Sequence, residues 1–170
     1  YTTYVELIEQ PVERAVTRIE ELEGYLVQPE TECTDDDSEL DTYLGAGNQA
    51  LQSGNLEIAI NFYSCAIQNF PDEAMGYNNR GFAHLQSGEL NFALSDLTDA
   101  IAHDPELALA YSNRGQTYYS FGDYEGALND LQRSIELDRS ATNQAYATSG
   151  YVYADIGQYE RAIPYLVTAA

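Results

Sequence analysis

The sequence predicts an all-α protein built as a solenoid of stacked antiparallel helix pairs, and three observations carry that prediction. Glycine recurs at a fixed period: Gly47, Gly81, Gly115 and Gly150 stand 34, 34 and 35 residues apart. The same period returns in a second glycine column (Gly54, Gly88, Gly122, Gly157), an alanine column (Ala59, Ala93, Ala127, Ala162) and an aromatic column (Tyr43, Tyr77, Tyr111, Tyr146). Within each period the apolar residues step by three and four, the spacing of one helical face. Columns that agree on one period mark a repeat whose units bury their apolar faces by stacking on each other.

One unit shows how the residues specify the pair. Tyr111, Gly115 and Tyr118 lie four and three residues apart and share one face of a first helix. Gly122 stops that helix, because glycine adopts the left-handed terminating conformation without a Cβ clash. Asp123 is read as the N-cap of a second helix, which carries Tyr124, Ala127, Leu128, Leu131 and Ile135 at helical steps. Small residues at Gly115 and Ala127 let the two helices approach closely. Pro71 and Pro105 follow the second helices of the first two units, where proline prevents continuation. Arg139 takes that place in the third unit.

The stretches YNNRGFAHLQSGELNFALSDLTDAIAHDP and YSNRGQTYYSFGDYEGALNDLQRSIELD closely resemble the tetratricopeptide repeat family, and the resemblance covers residues 40–170. Three departures stand out: Tyr replaces the Trp common in the family, His84 replaces an aromatic residue and Arg139 replaces a proline. The resemblance implies a right-handed superhelical solenoid of four units, 40–73, 74–107, 108–142 and 143–170.

The flanks follow other patterns. Over residues 1–27, Val5, Ile8, Val12, Ala15, Ile19, Leu22 and Leu26 form a heptad-like apolar seam, which predicts an extra N-terminal amphipathic helix. It serves either as a cap on the solenoid or as a dimerising or partner-binding helix. Residues 28–39 read as an acidic linker, and Asp35, Asp36 and Asp37 lack the alternating spacing and turn glycine of a calcium loop. After Ala170 no polar helix covers the last apolar face, so either more chain follows or another molecule covers it.

Composition narrows the partners. The chain has 28 acidic residues against 7 basic ones, all arginine, for a formal net charge of -21. Nucleic acids and anionic surfaces require clustered cations, so neither is an expected partner. A neutral to basic protein or peptide segment fits better. No apolar run approaches the ~18 residues that signal a membrane span, so membrane insertion is not expected. Cys33 and Cys65 form no CxxC or Cys/His cluster, and no disulfide framework or zinc site can be read from them. Acidity, the lack of lysine and the missing initial methionine lean weakly toward an extracytoplasmic or secreted setting.

The resemblance further implies that the first helices line a concave groove. Its expected partner-binding residues are Asn48 in the first unit; Asn78, Asn79, Phe82 and Gln86 in the second; Ser112, Asn113, Gln116 and Tyr119 in the third; and Tyr151 in the fourth. Amides pair with the backbone of an extended peptide, and aromatic faces take its side chains. The asparagines also fit a structural role between neighbouring units. Family members that clamp acidic chaperone tails use two asparagines and three cations. Asn48 and Asn79 match the former, but Leu44, Leu109 and Asn113 occupy the basic positions, which excludes that ligand. Tyr43, Tyr77, Tyr111, Tyr118, Tyr124, Tyr146, Tyr153 and Tyr159 occupy consensus positions and are expected in the core.

No enzyme is expected. His84 and His103 have no catalytic partner placed by sequence, and the glycines obey the repeat without forming GxxxxGK or GxGxxG. No cofactor and no metal are expected. The leading reading is a non-enzymatic scaffold that binds a protein segment in its groove. The alternative is a structural subunit that self-associates, as a homo-oligomer or filament, through the N-terminal helix and the last helix around Tyr165 and Leu166.

Overall fold

A computed structural model describes Cys33, residues 39–138 and residues 143–169, which belong to one compact unit. The expected helix over 1–27, the body of the linker up to 38, and the 139–142 connection containing Arg139 lie outside the described residues. The described chain is all helical. The elements are α1 (Leu40–Gln52), α2 (Leu56–Asn69), α3 (Ala74–Ser87), α4 (Leu90–His103), α5 (Ala108–Phe121), α6 (Tyr124–Leu137), α7 (Asn143–Asp155) and α8 (Tyr159–Ala169).

The helices pair in chain order, α1 with α2, α3 with α4, α5 with α6 and α7 with α8. Each second helix then packs on the first helix of the next pair. First helices also touch the next first helix, as in α1 with α3, α3 with α5 and α5 with α7, whereas among the described residues no contact joins one second helix to the next. The first helices therefore form the inner layer of the stack and the second helices the outer one.

Sequence sets this geometry at two kinds of glycine. Gly122 holds φ at 81°, in the left-handed region, and lets its own N–H and that of Asp123 return to the carbonyls of Tyr119 and Tyr118 at 2.9 Å. The Asp123 side chain then accepts from the Gly126 N–H at 3.0 Å, starting α6 as expected. Gly115 acts by close approach: a Cβ there would lie 2.8 Å from Leu131 Cγ. Leu131 is fully buried, in a cluster with Ala127, Ile135, Ala145 and Val152 that spans two helices and takes in Tyr165 from a third. In the first pair Tyr63 fills the place that Leu131 holds in the third. Its buried ring covers Gly47, its hydroxyl donates to Asn48 Oδ1 at 2.8 Å, and desolvation pushes its pKa up to about 12.

Two arginines staple successive outer helices through the inner layer. Arg80 makes a two-pronged bond to Asp96, Nε to Oδ2 and Nη2 to Oδ1, each at 2.8 Å, while Nη1 reaches Ser64 Oγ on the preceding pair at 3.1 Å. Arg114 repeats this with Asp130 at 2.7 and 3.0 Å and with Thr98 at 3.4 Å. The hydrogen bonds to each carboxylate hold both guanidinium groups above their ordinary pKa.

Two expectations need correction. Cys33 and Cys65 form a disulfide, with Cα atoms 5.1 Å apart, although the sequence offered no pairing signal. It ties the segment before α1 to α2, where Cys65 is buried beside Tyr43 and Ala66. Tyr159, expected in the core, is 67% exposed. The equivalent Tyr124 packs against the cluster reaching into α7, and among the described residues no following helix covers Tyr159 in the same way.

Candidate partner-binding groove

The inner layer places the ten expected groove residues in three environments. Asn48 on α1, Gln86 on α3 and Tyr151 on α7 are exposed. Asn79, Phe82, Asn113, Gln116 and Tyr119 are half-buried, with Phe82 packed against Leu85, Ala93 and Leu97. Asn78 and Ser112 are buried, each 3% exposed, and do not present side chains to a groove surface. Adjacent helical residues point about 100° apart, so a one-residue difference divides the exposed side from the packed one.

The buried asparagine has a structural task. Asn113 donates from Nδ2 to Asn78 Oδ1 at 3.0 Å, and Asn78 donates from Nδ2 to Asn79 Oδ1 at 3.0 Å. This amide chain joins α5 to α3 and uses hydrogen-bonding capacity that a ligand would otherwise meet. The Tyr119 hydroxyl likewise donates to Asp155 Oδ2 on α7 at 2.8 Å, and that bond leads the effects that push its pKa up to about 12. Inter-repeat hydrogen bonds thus run along the helical face that holds the expected groove residues.

Two polar atoms on α5 have no hydrogen-bond partner among the described residues: the buried Ser112 Oγ and, one turn on, Gln116 Oε1. A buried acceptor left unpaired costs about 1–3 kcal/mol, so each such atom calls for an explanation. Arg80 and Arg114 point away from this face to Asp96 and Asp130, and no other described arginine stands at Leu44, Leu109 or Asn113 to bind a carboxylate.

The two histidines are engaged within the fold. His84 donates from Nδ1 to the Glu89 carboxylate oxygen Oε2, 2.7 Å away, and His103 stacks on Tyr77 with ring centroids 4.9 Å apart. Among the described residues no three His, Cys, Asp or Glu side chains cluster to hold a metal, and no helix is long and apolar enough to cross a membrane.

Comparison with known proteins bears on this architecture. The tetratricopeptide repeat family model matches residues 108–140, and a second model of that repeat matches 144–170. Comparison with curated protein sequences gives no match. Among solved structures, the crystal structure of MamA is 25% identical with a TM-score of 0.67, covering 79% of this chain and 78% of that one. A thermophilic TPR protein of Thermus thermophilus is 20% identical with a TM-score of 0.71, covering 77% and 73%. The first TPR of Spaghetti (RPAP3), solved with an HSP90 peptide SRMEEVD, is 23% identical with a TM-score of 0.65, covering 72% and 96%.

Proposed function

This chain is a tetratricopeptide-repeat protein, and on that premise we propose that it is a scaffold whose inner helical face binds an extended segment of another protein, neutral to basic in charge. The fold is that of a protein–protein interaction module. The observation that supports the finer reading is the run of half-buried amide and aromatic side chains along the inner helix α5, Asn113, Gln116 and Tyr119. The exposed amides of Asn48 and Gln86 and the exposed ring of Tyr151 extend a mixed amide and aromatic surface over α1, α3 and α7.

Charge selects the ligand. The acidic peptide bound by the Spaghetti domain is poorly matched to a chain of net charge -21, whose Leu44, Leu109 and Asn113 supply no cation to receive a carboxylate. A neutral or basic segment gains from the same field. The disulfide fits an oxidising setting, in keeping with the extracytoplasmic lean of the composition.

The test is fluorescence anisotropy with a panel of labelled extended peptides graded from acidic to basic. Binding is expected for neutral and basic members only. The triple variant Gln86→Ala, Gln116→Ala, Tyr151→Ala is expected to weaken it at least tenfold, about 1.4 kcal/mol, with helical circular dichroism unchanged. Unchanged affinity in the triple variant would remove the groove from the account.

Self-association is the second reading, favoured by one observation. Tyr159, Ile163 and Val167 make an exposed apolar stripe along α8 at steps of four. The stripe lies in the stretch expected around Tyr165 and Leu166, whose own side chains turn inward: Tyr165 packs on Tyr146 and Tyr153, and Leu166 lies over Gly150. Light scattering decides the matter: assembly predicts a mass rising above 18.9 kDa with concentration and salt, whereas a constant mass excludes it.

A further inference from the structure

The arginine staples of the second and third pairs have no counterpart in the fourth. Three columns build each staple: a hydroxyl on the preceding outer helix (Ser64, Thr98), the arginine (Arg80, Arg114) and the aspartate (Asp96, Asp130). One period on, the same columns hold Gln132, Ser149 and Tyr165. Ser149 is too short to cross between outer helices, and its hydroxyl donates within α7 to the Ala145 carbonyl at 2.8 Å.

A cavity of about 460 Å³ opens where the guanidinium would lie, and all three replacement residues line it. Its size falls in the roughly 300–1,000 Å³ range of ligand pockets. It is bounded by α6, α7 and α8, on the outer-helix side and apart from the inner face, so a ligand here neither requires nor precludes one in the groove.

The walls match a planar cation. Tyr124, Tyr153 and Tyr165 supply aromatic surface, and the Glu125 carboxylate with the Asn129 and Gln132 amides supplies acceptors. A guanidinium already lies at the rim: Arg161 sits 4.5 Å over the Tyr153 ring centroid, bonded through Nη1 to Gln158 Oε1 at 3.0 Å. Arg161 opposes an incoming cation, but an anion would face both Glu125 and the field of a chain carrying -21.

We propose that this cavity receives an arginine side chain of a partner protein, which occupies the slot that Arg80 and Arg114 fill from within the chain. Its guanidinium stacks among the tyrosines and donates to Glu125 and the amide oxygens, as the internal arginines donate to aspartate and hydroxyl. The partner thereby supplies the fourth pair's missing staple.

Amide-resolved NMR titration of the chain with N-acetyl-arginine-amide tests this, with N-acetyl-citrulline-amide as the uncharged isostere. The arginine probe is expected to shift resonances of Gln132, Ser149 and Tyr165, and the citrulline probe to leave them in place. The double variant Ser149→Arg, Tyr165→Asp rebuilds the internal staple and is expected to abolish the response. Glu125→Gln, at an exposed position that does not threaten folding, is expected to weaken it roughly three- to fivefold. Equal response to citrulline, no shift at these residues, or full response in Glu125→Gln would each overturn the proposal. Shifts confined to α1, α3 and α5 would do so too, while leaving the groove reading intact.

Discussion

Breaking the Cys33–Cys65 disulfide is expected to lower the stability of the first helix pair by about 3–4 kcal/mol, the loop-closure entropy of a cross-link spanning 32 residues. The cross-link holds the segment before α1 against α2, and Cys65 lies in the cluster that also contains Tyr43. In a stack where each repeat contacts only its neighbours, the loss is local and the last pairs are spared. Cys33→Ser is the cleaner variant, since a serine at the buried Cys65 would add an unpaired hydroxyl to an apolar cluster. Hydrogen exchange in α1 and α2 is expected to accelerate on reduction or in Cys33→Ser, with α5 and α6 unchanged. Unaltered protection in α1 and α2 would show that the disulfide adds nothing to the fold.

Asp130→Ala is expected to destabilise the protein by about 3 kcal/mol, because Arg114 would keep its charge with only Thr98 and two ring faces, Tyr111 and Tyr118, around it. The Asp130 side chain is 11% exposed and that of Arg114 is 17% exposed, so desolvation is incomplete and the lower end of the range for a broken buried pair applies. The double variant Arg114→Met, Asp130→Leu removes both charges and fills the space with apolar atoms. Its loss is expected to fall well short of the sum of the two single changes, with a coupling above about 1 kcal/mol by urea denaturation. Additive losses would mean that each group is stabilised by its own surroundings and not by the other.

The helix pairs were legible because their determinants are local and repeated. Gly122 and Asp123 announce a stop and a start within two residues, and the Gly115 column can be read beside the leucine that lies over it. The staple was partly visible, since Arg80 and Arg114 keep the period, but its partners sit sixteen residues away on other helices and no adjacent pattern names them. The disulfide was hidden for a related reason: one cysteine lies in an irregular acidic segment and the other in a helix, so only the folded path brings them together. The repeat pattern put all ten expected groove residues on the first helices of their pairs, but it did not separate packed positions from open ones. Asn78 and Asn79 look alike in the chain, yet one is 3% exposed and bonded across the repeat while the other is half-buried on the inner surface. Tyr159 obeys the consensus, but Tyr124 in the same column is partly covered by packing against the cluster that reaches into α7, and among the described residues Tyr159 has no such neighbour.

The central claim, that the inner helices receive a protein segment, is tested most directly by mapping amide shifts while a neutral or basic peptide that binds in the anisotropy panel is added to the intact chain. The account predicts that perturbed residues fall on α1, α3, α5 and α7, centred on Gln116 and including Gln86 and Tyr151. Perturbations gathered instead on the outer helices, or along the Tyr159, Ile163 and Val167 stripe of α8, would contradict it.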